Sequence, residues 1–210
     1  MPDATMQSKT HPLNSPVALK YLTQSQYMLA GLTLFWAGAM LAWALIDRPV
    51  PVWVAIIVFA ALAGAVVWIV PQTVRCSRGI GRLPAEQTGV KDPAANKKWA
   101  LIFSTEGIAI GLTAGTLSSF GLFSYIIPAT LLIVGLHFIP IGVLYKTSIQ
   151  QYWAAVLVVV AIVGIVLLIA GGTGATFANV LCALAGALST SWLAVWGAKT
   201  VQQRLAAMGV

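Results

Sequence analysis

Charge is what this chain has least of. Only 8% of its 210 residues are Asp, Glu, Lys or Arg, where ordinary soluble domains carry about 25%. With 59% hydrophobic residues as well, the composition excludes an ordinary soluble enzyme and a disordered chain. Cysteine is nearly missing. Cys76 and Cys182 stand far apart with no CxxC or zinc-type spacing, which excludes a disulfide-rich secreted module and gives no metal site. Histidine is as scarce, and His137 is the single one inside an apolar run, so a bis-His haem within the spans is excluded. The glycine-containing stretch Gly79–Pro84 lacks both the strand-Gly-helix setting and the Lys-Ser/Thr of a phosphate-binding loop, and it reads as a flexible turn. No nucleophile elbow or nucleotide motif occurs, and no cofactor is expected.

What is abundant is apolar sequence, in six runs of about 20 residues, the length that crosses a bilayer. The spans fall at Tyr27–Ile46, Val50–Val70, Trp99–Phe120, Phe123–Leu144, Tyr152–Ala170 and Phe177–Trp196. The expected fold is therefore an all-α integral membrane bundle of six transmembrane helices. A polar segment, 1–26, precedes the six-span domain, 27–196, and 197–210 forms a tail. Ser15-Pro16 can start a helix that runs along the interface to Tyr27 before the chain turns inward. Asp47-Arg48-Pro49 separates the first two spans as a tight helical hairpin. Pro71 is expected to end the second span, opening a long basic loop, 71–98. The sequence GGTGA at 171–175 turns the chain into the last span. No cleavage site follows the first run, so that span is expected to stay in the mature protein.

The net charge of +7 belongs to the membrane rather than to nucleic acid. Eleven of the twelve Lys and Arg lie on one side of this topology, in the N-terminal segment, the long loop, Lys146 and the tail, whereas Arg48 stands alone on the other. Basic loops stay cytoplasmic, which predicts both termini inside (N-in/C-in). The lipid bilayer is the first partner, and anionic headgroups are expected at the basic loop. Trp99, Trp153 and Trp196 fit an aromatic belt at headgroup depth. Spans one to three and four to six run in opposite senses, as in inverted-repeat transporters, but no matching residues support a repeat.

Polar residues inside the spans are the candidates for function. Glu106 is the one acid within any span, and ionisable groups at such depth are functional suspects. It lies seven residues after Trp99, and His137 lies seven residues before Leu144. At about 1.5 Å per residue both sit about 10 Å inside the same boundary, on spans joined by a short turn. A Glu–His contact there could share a proton, the chemistry of a relay or substrate site. The alternative is a carboxyl that serves only as a hydrogen-bonded joint between helices. Thr113, Thr130, Ser189 and Thr190 are supporting hydroxyls, which either hydrate a pocket or bond back to their own helices. Gly107, Gly111 and Gly115 form a small-residue stripe, read as a helix-packing face and as a surface for self-association into a homo-oligomer. Pro140 frees the carbonyl of Leu136 and can kink the fourth span beside His137.

Around that proline the chain reads Leu136-His137-Phe138-Ile139-Pro140. In a small chain with polar ends this segment resembles uncharacterised small bacterial multi-pass membrane proteins, a resemblance that implies a bacterial plasma (inner) membrane and no particular activity. The sequence thus favours a small proton-coupled transporter or permease using Glu106 and His137. A structural or accessory membrane subunit is the alternative. A membrane enzyme ranks last, because it needs more convergent polar groups than this chain offers.

Overall fold

The computed structural model describes residues 16–83 and 93–209. Six long helices follow in order: α1 (Pro16–Asp47), α2 (Val52–Ile80), α3 (Pro93–Ser119), α4 (Ile126–Tyr145), α5 (Ser148–Ala170) and α6 (Gly172–Ala207), with a 3-10 turn over Phe123–Tyr125 before α4. No strand occurs among the described residues. All six helices contain a stretch long and apolar enough to cross a membrane. Continuous apolar sequence without period-two alternation leaves the helix as the one way to satisfy every backbone N–H and C=O inside lipid.

The helices neighbour one another in the order α2, α1, α6, α5, α4, α3, and α6 also touches α2 and α4. The centre of the bundle is the antiparallel pair α1 and α6. Its register is set by small residues under large ones. A Cβ on Gly186 would lie 2.5 Å from the Trp36 ring, and one on Gly197 would lie 3.3 Å from Gln26. Between these contacts the hydroxyls of Thr33 and Thr190 sit 2.9 Å apart. On α5, Gly164 makes room for Cys182 of α6 in the same way.

Several helices are longer than the sequence predicts. α1 runs unbroken through Tyr27, so no separate interfacial helix turns inward there. α2 continues past Pro71 to Ile80. A proline inside a helix costs about 3 kcal/mol or more, and here tertiary packing outweighs it, because Thr73, Cys76 and Ile80 beyond it are all buried. The Thr73 hydroxyl lies 3.1 Å from Gln26 Oε1 on α1, and the Cys76 thiol donates to the carbonyl of Ala198 on α6. At the far side of the loop α3 begins at Pro93 rather than at Trp99. The sixth helix takes in most of the expected tail, to Ala207. The glycine-rich turn before it shrinks to Gly171 and Gly172, whose φ values of +71° and +65° suit residues without a Cβ. α4 is continuous through Pro140. The N-terminal segment to residue 15, the loop centre 84–92 and the Trp99 side chain lie outside the described residues.

Candidate functional site

The site forms where α3 leans on α4. On α4 the buried positions Ile127, Thr130, Leu131, Val134, His137, Phe138 and Ile141 follow the spacing of one helical face, and His137 belongs to it. α3 is different. It has no fully buried residue in its apolar stretch, and its half-buried positions Phe103, Glu106, Ile110 and Thr113 form the inner face. Matched depth therefore brings the two ionisable residues together: His137 Nδ1 lies 3.3 Å from Glu106 Oε2, with side chains 6% and 13% exposed respectively. The ring of Phe103 stands against the imidazole, with centroids 4.9 Å apart.

Beside the pair is a cavity of about 40 Å³ whose wall includes Ser25, Phe103, Glu106, His137, Gln150 and Trp196. That volume exceeds the roughly 10–15 Å³ a water molecule requires. Apolar side chains of α1, α4 and α6 make up the rest of the wall. Gln150 is 5% exposed, and its Oε1 has no hydrogen-bond partner. A buried carbonyl oxygen left in this state costs about 1–3 kcal/mol unless something donates to it. Glu106, His137 and Gln150 thus line one small, largely apolar space. The arrangement can pass a proton between Glu106 and His137 and can hold a small hydrogen-bonding guest against Gln150.

The other predicted residues go elsewhere. Thr113 is half-buried on the inner face of α3, and Thr130 is buried on α4; neither lines the cavity. Ser189 and Thr190 are buried on α6, where both hydroxyls donate to the carbonyl of Gly186, at 2.9 and 2.8 Å, and Thr190 also meets Thr33 of α1. Within the chain the packing role expected of Gly107, Gly111 and Gly115 is corrected: all three are exposed, and a Cβ on any of them would meet nothing within 4 Å. The stripe faces away from α4, because Glu106 and its helical repeat occupy the side that packs.

Gln150, Ser25 and Phe103 were not legible as site residues. By its sequence Lys146–Gln151 reads as a short loop, and only the start of α5 at Ser148 turns Gln150 inward. Trp196, expected in the aromatic belt, forms part of the cavity wall.

Fold and site define a multi-pass α-helical membrane protein. No protein-family model matches the chain, and neither a curated protein nor a solved structure matches it.

Proposed function

We propose that this protein is a small proton-coupled transporter, with Glu106 and His137 as its proton site. The observation that carries the reading is their contact at 3.3 Å on the wall of a cavity that Gln150, a buried residue whose side-chain oxygen has no partner, also lines. Here one buried acceptor is left open beside an ionisable pair, as a site that takes up and releases a guest requires. In this reading both termini and the basic loop face the cytoplasm of a bacterial inner membrane. The 11-to-1 division of Lys and Arg supports that orientation, and the Leu-His-Phe-Ile-Pro segment supports the setting.

The test uses proteoliposomes loaded with a pH-sensitive dye. After a pH step, the parent protein is expected to take up protons when a mixture of candidate solutes is supplied, and Glu106→Gln is expected to lose that uptake while still folding. A carboxyl band that titrates in infrared difference spectra of the parent and vanishes in Glu106→Gln would place the proton on this residue. Equal uptake by both proteins overturns the reading. The structural-subunit alternative has an observation of its own, in that Ser189, Thr190 and Ser191 all donate to carbonyls of their own helix. It predicts identical behaviour of parent and variant in both measurements.

A further inference from the structure

Three of the helices outrun the bilayer at the same end. A hydrocarbon core of about 30 Å takes about 20 helical residues, whereas α1, α2 and α6 contain 32, 29 and 36. The surplus lies at the start of α1 and at the ends of α2 and α6. These ends stay packed, with Leu19, Ile80, Val201 and Leu205 buried and Gln202 Nε2 donating to Gln72 Oε1 across 3.0 Å.

Along this extension α2 and α6 border a groove of about 490 Å³ whose lining includes Gln72, Arg75, Arg78, Arg82, Gln202 and Leu205. The spacing of three and four residues puts the arginines on one side of α2 and its continuation, and all three are exposed. Among the described residues the acids are Asp47 and Glu106. Asp47 is at the opposite end of α1, and Glu106 lines the other cavity. No carboxylate among the described residues neutralises the groove.

Helix-dipole compensation accounts for one arginine, since only Arg78 lies in the last turn of α2. Orientation by positive charge does not require the three to share a groove. Depth supplies the remaining constraint. The apolar run of α2 ends at Val70, so Arg75 stands about 7 Å beyond the hydrocarbon edge, within the headgroup layer. Arg78 and Arg82 lie farther out.

We propose that this groove binds the phosphate of an anionic glycerophospholipid, with Arg75 at headgroup depth and Arg78 and Arg82 closing over the charge. Guanidinium forks bind phosphate oxygens in bidentate fashion, and basic pockets between membrane helices suit such headgroups. The chemistry is that of a phosphate ester, and its membrane source follows from the headgroup depth of Arg75. The site is independent of the proton site on α3 and α4.

The experiment is lipid titration of the detergent-purified full chain, followed by native mass spectrometry, with phosphatidylglycerol and phosphatidylcholine as probes. The parent is expected to prefer phosphatidylglycerol. Arg75→Gln/Arg78→Gln/Arg82→Gln should bind it about a hundredfold more weakly, whereas Arg48→Gln, at the other end of the molecule, should bind like the parent. The corresponding triple Lys variant keeps the charge but not the fork, and it should fall in between. Unchanged binding in the Gln variant overturns the proposal, as does full retention in the Lys variant, which would reduce the effect to diffuse attraction. Displacement of the lipid by millimolar inorganic phosphate would overturn the lipid source and assign the groove to free phosphate. The exposed arginines are outside the buried core, and a size-exclusion profile matching the parent's checks that each variant is folded.

Discussion

A carboxyl and an imidazole placed about 10 Å inside a membrane boundary are each costly alone. Together they make one contact, at 3.3 Å. The cost of separating them is the measurable quantity. Glu106→Gln and His137→Gln should each destabilise the protein in SDS unfolding, and the double variant should lose less than the sum, with a coupling of about 0.5–3 kcal/mol. Additive losses would show that the 3.3 Å contact carries no energy. Gln150 gives the opposite sign. Its buried Oε1 has no partner, so Gln150→Met removes a desolvated acceptor while roughly keeping volume. The variant is expected to be as stable as the parent or up to about 2 kcal/mol more stable. In the transporter reading it nevertheless loses proton-linked uptake. A stable variant with full uptake would remove Gln150 from the site.

Among the elements, α3 is the one least held by the chain. Its neighbour is α4, and its outer face is open. Gly111→Leu on that face meets nothing within 4 Å and should change unfolding stability by no more than about 0.5 kcal/mol. If the stripe serves self-association, the same variant loses cross-linked dimers without unfolding. Gly186→Leu is the contrast, because its first added carbon already runs into the Trp36 ring at 2.5 Å. Overpacking there should cost about 1–3 kcal/mol or more. The two glycines look alike in the sequence. If Gly111→Leu proved the more damaging in the monomer, the placement of α3 would be wrong.

For the whole molecule the testable property is orientation. Cys76 and Cys182 are 1% and 0% exposed, and replacing them by Ser leaves a background for labelling. Ser77→Cys and Lys146→Cys should be protected in intact cells and become reactive when the membrane is opened. Arg48→Cys should react from outside. Ser77, exposed near the end of α2, is a better probe than Gly79, where a side chain would collide with Leu205. External labelling at Ser77 would invert the proposed orientation and place the arginine groove on the outer surface.

Six helices were legible in the sequence because apolar length is a local property: about 20 residues without charge cannot leave lipid unpaired in any other form. The depths of Glu106 and His137 were legible for the same reason, since residues counted from a boundary convert directly into ångströms. Rotation about the helix axis was not. Gly107, Gly111 and Gly115 form the same stripe whether they face α4 or open space, and only packing decided that Glu106 takes the inner side. Helix ends were also beyond local reading. Pro71 is a breaker by its own chemistry, yet α2 passes through it because Thr73, Cys76 and Ile80 find partners on α1 and α6 that are distant in the chain. Gln150 and the arginine groove belong with these. A polar residue beside an apolar run carries no local sign of direction, and three arginines share a groove only because α6 extends far enough to wall it.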